Sequence, residues 1–238
     1  MKAKRWIATV VIAFFIMLAA VLHRAGNASE VMEAGRYIAL TFDDGPSSLT
    51  TPELLDGLKE RGARATFFVL GMEAEKEPEL LRRIQAEGHQ VAQHTYSHVK
   101  LNEISDAALT EELTKTNEIL LDILGEGDYW LRPPYGLIRE AQCALVNVPL
   151  ITWSVDSEDW KLREKEAVSR RVLEEAKSGD IILMHDIHPT TVHAALTIVD
   201  ELQAQGYTFL TVQELMRIYG VDAGAGELYR APLLPGQW

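Results

Sequence analysis

The 238-residue sequence predicts an α/β fold, an incomplete or distorted parallel barrel of seven strand–helix units. Three observations predict it. Short apolar runs alternate with helix-type periodicity along the chain. Prolines open some of the helical stretches and glycines close several. Charged and imidazole side chains collect at or just after the C-terminal ends of five of the seven apolar runs. Parallel α/β architectures place their sites at those ends. A ring, unlike an open sheet, lets all five face one point.

The strand-type runs are 37–42, 65–70, 89–93, 129–132, 150–155, 180–184 and 208–210. Helix-type segments lie at 51–61, 78–87, 105–124, 137–146, 164–178, 190–205 and 212–219. Pro52 and Pro78 suit the first turn of a helix, where a missing N–H costs nothing. Gly62, Gly88, Gly179 and Gly206 read as C-terminal stops. The repeating order implies parallel strands with helices outside. The length suits one domain, expected over residues 29–220. Residues 221–238 have no clear period, and are expected to pack on the surface or to be partly mobile, without a function of their own.

A hydrophobic content of 47% supports a packed core. The net charge of -12 argues against a nucleic-acid partner held through phosphate neutralisation. Residues 1–28 read as a targeting segment. Lys2, Lys4 and Arg5 precede an apolar stretch from Ile7 to Leu22, and small residues follow at 26–28. A cleaved signal peptide and an uncleaved membrane anchor both fit, since the stretch is short for a full span. Both carry the domain out of the cytoplasm, to be secreted or anchored at a membrane. Membrane contact is expected only through this segment. Cleavage after Ala28 would remove Lys2, Lys4, Arg5 and Arg24 and no acid, taking the charge to -16. The single cysteine, Cys143, permits no intrachain disulfide and is expected to be a buried structural thiol.

Five short clusters carry the chemistry. Thr41-Phe-Asp-Asp-Gly-Pro46 ends an apolar strand in two adjacent carboxylates. An acidic turn explains Asp44 and Gly45, but not two carboxylates side by side, which repel unless a cation or proton is shared. His94-Thr-Tyr-Ser-His98 spaces two imidazoles by four, which would put both on one face of a helical turn. Alone, such a pair is more often surface or core filling. Together, Asp44, His94 and His98 make a one-oxygen, two-nitrogen set suited to a catalytic divalent ion, Zn2+ first, with Co2+ or another metal possible. Asp43 remains beside the ion as a base.

Arg132-Pro-Pro-Tyr-Gly136 is a stiff loop. Its bland reading leaves Arg132 on the surface. Its functional reading pairs Arg132 with Asp43, a task that a bidentate guanidinium performs better than lysine, and offers the Tyr135 backbone N–H as an oxyanion donor. In Trp153-Ser-Val-Asp-Ser-Glu-Asp-Trp160, Trp153 suits core or a pocket wall, and Trp160 suits the lining of a sugar-sized cleft. His185 directly follows an apolar strand. It suits an acid that protonates a leaving nitrogen, kept charged by Asp159. Asp186 and His188 stay open between a supporting place and the surface.

With these five clusters in order, the chain resembles the polysaccharide deacetylases of the NodB homology domain, carbohydrate esterase family 4, from about Tyr37 to about Tyr219. The resemblance implies a distorted (β/α)7 barrel. It implies Asp43 as catalytic base, Asp44, His94 and His98 as metal ligands, and Arg132 as the group orienting Asp43. It implies that the Tyr135 backbone helps hold an oxyanion and that Asp159 supports His185 as the acid. The activity it implies is removal of N-acetyl groups from amino sugars of a glycan, with peptidoglycan or its fragments the first expectation. Chitin oligosaccharides and an exopolysaccharide present the same acetamide. Two other classes stay open: an inactive glycan-binding envelope protein, and a metal-dependent esterase or amidase for small molecules.

Overall fold

In a computed structural model of the protein, which describes residues 35–232, the seven expected units wrap into a distorted barrel of parallel strands with helices outside. The expected export segment, residues 1–28, lies outside the described residues, as do residues 233–238. The elements run β1 (Arg36–Asp43), α1 (Thr51–Glu60), β2 (Ala65–Val69), α2 (Gly71–Ala74), α3 (Pro78–Ala86), β3 (Gln90–Gln93), α4 (Asp106–Leu124) and α5 (Glu140–Cys143). They continue with β4 (Leu150–Ile151), β5 (Val155–Asp156), α6 (Asp159–Leu162), α7 (Lys165–Glu175), β6 (Ile181–His185), α8 (Pro189–Ala204), β7 (Tyr207–Phe209), α9 (Val212–Ile218) and β8 (Leu228–Tyr229).

The sheet order β3-β2-β1-β6-β5 places β1 at the centre, and β7 pairs with its first residues, from Arg36 to Ile38. The expected strand at 129–132 is reduced to one residue. Leu131 forms parallel bridges to both Gln93 and Leu150. Pro133 and Pro134 lack the N–H groups that would extend it. The run 150–155 is split. Leu150 and Ile151 pair with Leu131 and β8, whereas Val155 and Asp156 pair with β6. One bent segment thus closes the ring.

Alternation decides which side chains face which layer. On β1, Ile38, Leu40 and Phe42 pack with Leu54, Leu58, Ile198 and Leu202 of the surrounding helices. Ala39 instead faces a second, interior cluster with Phe68, Ala92, Ile151 and Ile181. Helix α9 contributes Val212, Leu215 and Met216 to that cluster and seals the end where the strands begin. A Thr211–Glu214 capping box fixes its start. The segment from 221, which shows no clear period in the sequence, supplies β8, and Tyr229 is fully buried in the interior cluster rather than at the surface. A two-residue strand is too short to leave a period in the sequence.

Helices α1, α3 and α8 each carry proline in the first turn. The helix expected at 137–146 shrinks to the single turn α5. Leu145 is consequently exposed, and Cys143 is partly exposed rather than buried. Among the described residues, no helix is long and apolar enough to cross a membrane.

Candidate metal centre and active site

Asp43 is the last residue of β1, and the same alternation that buries Ala39 turns Thr41 and Asp43 inward. Arg132 enters the interior from the neighbouring strand position and is fully buried. Its Nη1 donates to Asp43 Oδ1 at 2.6 Å and to Thr41 Oγ1 at 2.7 Å. Nη2 donates to the Thr152 carbonyl at 3.0 Å and Nε to that of Ile151 at 3.4 Å. The guanidinium carbon lies 3.9 Å from the Phe68 ring centre. The expected two-pronged clasp is therefore a single contact. The guanidinium crosses the barrel and shares its donors among four acceptors. Burial pushes the Asp43 carboxyl up, against the opposing pull of Arg132, His185 and His98.

His94 follows β3. Its Nδ1 lies 2.7 Å from the Arg132 carbonyl oxygen. A carbonyl only accepts, so Nδ1 carries the proton and Nε2 keeps a lone pair. Burial pushes the His94 pKa down to about 3, so the ring is neutral. That lone pair sits 3.6 Å from Asp43 Oδ2 and 3.7 Å from Asp44 Oδ1. His98 Nε2 lies 3.4 Å from the same Asp44 oxygen, which is buried and has no hydrogen-bond partner. The donor atoms of Asp44, His94 and His98 all lie within 4.8 Å of one another. A lone pair facing two carboxylates, with a buried orphan oxygen between, is repulsive unless a cation joins them. Neutral imidazoles plus one carboxylate suit a divalent ion of borderline softness and leave coordination positions open. The residues fit a metal.

The turn that brings the histidines together is not helical. Thr95 and His98 have φ of +67° and +62°, and the two rings approach to 5.0 Å between centres. Asp44 and Tyr135 also have positive φ, at +73° and +60°. Of the six non-glycine residues with positive φ among the described residues, four therefore surround this one cavity. Each costs on the order of 1–3 kcal/mol, a strain that collects where side-chain aim matters. The Tyr135 ring stands 4.8 Å from that of His98 and is half exposed.

On the other side of Asp43, β6 pairs in register with β1, and His185 is the residue opposite Asp43. Its Nδ1 lies 2.8 Å from Asp159 Oδ1. Asp159 Oδ2 accepts from the His185 backbone N–H at 2.8 Å and from the Thr191 hydroxyl at 2.9 Å. Burial opposes a charged His185, but the hydrogen bond and charge of Asp159 outweigh it and push the pKa up to about 9. Burial likewise opposes the Asp159 carboxylate, yet the bonds from His185 and Thr191 hold it below its usual range. Trp160 adjoins Asp159 on α6 and is 51% exposed.

Some supporting groups escaped the sequence. Thr41, which accepts from Arg132 and donates to the Ile182 carbonyl at 2.6 Å, was marked by its place two residues before Asp43. Thr191 carried no signal. Asp186, left open above, is fully buried. Its carboxylate accepts from the Thr51 hydroxyl and lies against Gly45, where any Cβ would collide with it. Gly45 thus lets Asp186 pass beneath the Asp43–Asp44 turn.

The chain matches the family model described as polysaccharide deacetylase over residues 31–147. It is 42% identical over 197 residues to the peptidoglycan-N-acetylglucosamine deacetylase PgdA of Listeria monocytogenes, covering 83% of this chain but 42% of that protein. The chain therefore spans less than half the length of that relative. A peptidoglycan-N-acetylglucosamine deacetylase of Bacillus cereus is 36% identical, with 79% of this chain and 92% of that protein covered. The structure of peptidoglycan deacetylase PdaC from Bacillus subtilis superposes with a TM-score of 0.77 at 39% identity, over 78% of this chain and 92% of that one. With the same fold and this degree of identity over most of its length, the chain belongs to the polysaccharide deacetylase family.

Proposed function

We propose that the protein is a metal-dependent N-deacetylase acting on the N-acetylated amino sugars of peptidoglycan. One observation carries the reading: Asp44 Oδ1, His94 Nε2 and His98 Nε2 converge with no proton on His94 Nε2 to hold them together. The ion assigned to them is Zn2+, with Co2+ able to replace it. When bound, such an ion supplies Lewis acidity, polarising an amide carbonyl and making a water acidic near neutral pH.

The chain's own groups divide the remaining work. Asp43, buried beside the ligands and held by Arg132, takes the proton of the attacking water. The Tyr135 backbone N–H is assigned to the carbonyl oxygen, where charge grows. A preorganised donor of that kind contributes about 3 kcal/mol in acyl transfer. His185, kept protonated by Asp159, gives a proton to the amide nitrogen as the C–N bond breaks. Acetate and a free amine leave. Trp160 and Tyr135, both about half exposed, are assigned to the apolar face of the sugar.

Peptidoglycan as substrate is supported by the names of the relatives that match this chain and by the export signal read in residues 1–28. That segment is proposed to deliver the catalytic domain outside the cytoplasm, either cleaved or retained as an anchor. The test is acetate release from defined muropeptides, chitin oligomers and O-acetylated or simple amide substrates, with zinc and cobalt compared. Release from muropeptides above the others supports the proposal. Preference for chitin oligomers moves the substrate, and activity on small esters or amides alone moves the class. Metal uptake with no release from any substrate would make the protein a glycan-binding relative.

A further inference from the structure

The turn from Thr95 to His98 is strained, so something must hold it. Two short contacts come from α2, whose Gly71 and Met72 N–H groups donate to the Thr95 and Tyr96 carbonyls at 2.9 and 3.1 Å. The turn's own N–H groups point elsewhere. That of His98 donates to Thr95 Oγ1 at 3.1 Å. Those of Tyr96 and Ser97 both donate to Glu112 Oε2 at 2.9 Å, and the Ser97 hydroxyl donates to Glu112 Oε1 at 2.7 Å. Glu112 stands on α4, partly buried, 14 residues beyond the nearer histidine in sequence. One carboxylate therefore receives three donors from two of the three residues that separate the ligands.

We propose that Glu112 is a positioning residue of the metal centre. Its carboxylate clamps the turn in the left-handed backbone that aims His94 and His98 at one point. The role rests on the metal reading given above. Without the clamp, the Tyr96 and Ser97 N–H groups go to water, and α4 keeps only Lys115 over the Tyr96 ring, 3.4 Å from its centre, a side-chain contact that does not hold the backbone φ values at Thr95 and His98. Relaxation swings the two rings apart. Groups that hold metal-binding side chains in place govern affinity by about 10–100-fold.

The test is cobalt titration of the full chain, reading affinity by chelator competition and ligand geometry by the d–d absorption bands, with the metal-free melting temperature taken in parallel. Glu112→Ala is expected to bind Co2+ about 10–100-fold more weakly, with shifted bands. Glu112→Gln should stay close to wild type, because its amide oxygen accepts the same two N–H groups and its NH2 donates to Ser97 Oγ. Glu111→Ala, removing an exposed neighbouring charge, should change nothing. Wild-type affinity and bands in Glu112→Ala overturn the role. So does an equal loss in Glu112→Gln, which would assign the effect to charge rather than to the clamp. Glu112→Ser carries the same test should the alanine variant not fold. Wild-type protein that takes up no cobalt removes the metal centre itself, and the role with it.

Discussion

Two histidines flank the buried Asp43, and the fold drives them in opposite directions. His94 is almost fully buried against a backbone carbonyl, and its pKa falls to about 3. His185 is nearly as buried, but against a carboxylate, and its pKa rises to about 9. Burial acts on both in the same sense, toward the neutral ring. The partner decides the outcome. A carbonyl dipole fixes a tautomer without offsetting the loss of hydration of a charged ring. A carboxylate supplies a full counter-charge at hydrogen-bond distance. One site thereby holds an unprotonated imidazole nitrogen beside the metal-binding triad and a protonated one across Asp43, the pairing that the proposed division of work between metal ligand and acid requires.

The most drastic way to break this contrast is to remove the neutral side. His94→Ala should abolish stoichiometric metal uptake, read by metal analysis of the purified protein, and reduce acetate release to background. Asp43→Asn comes next. It keeps the ligands but removes the proposed base, so kcat should fall by about 10²–10⁴-fold while one metal per chain is retained. A variant with most of its activity would leave Asp43 without that role.

Asp159→Asn sharpens the other side. With the counter-charge gone, burial should carry the His185 pKa back from about 9 toward or below 6.5. A general acid must be protonated, so the alkaline limb of the pH profile should move to lower pH. In the wild type, activity should fall as pH rises through about 9. An unmoved limb would show that another group donates the proton.

The smallest effect tests the rule away from the site. His89, buried before β3, accepts the Ala65 N–H on Nδ1 at 3.1 Å and has no short contact to a carboxylate. Burial pushes its pKa down to about 4 from 6.5. Its contribution to stability is therefore present above pH 6.5 and lost as pH falls toward 4. It amounts to about 3 kcal/mol. Urea midpoints measured across that window should fall, and His89→Gln should flatten the slope.

What could be read before folding follows the same physics. Asp43, Asp44, His94, Arg132 and His185 stood out because each lies at or just after the end of an apolar run, and His98 because it follows His94 at a spacing of four. The barrel was legible from the repeat. The way the histidines converge was not. Spacing of four suggests a helical face, whereas the chain uses left-handed residues at Thr95 and His98, held by groups distant in sequence. Thr191 and Glu112 acquire meaning only when α8 and α4 pack beside the site. Strand β8 and the single turns α2 and α6 were missed because two to four residues carry too little periodicity to detect.

The contrast is tested most directly by nitrogen NMR of histidine-labelled protein at pH 7, before and after one equivalent of zinc. In the metal-free protein, His94 should appear as the neutral Nδ1–H tautomer and His185 as doubly protonated. Zinc should shift His94 Nε2 and His98 Nε2 and leave both His185 nitrogens protonated. A protonated His94, or a His94 Nε2 signal unmoved by zinc, would contradict the account.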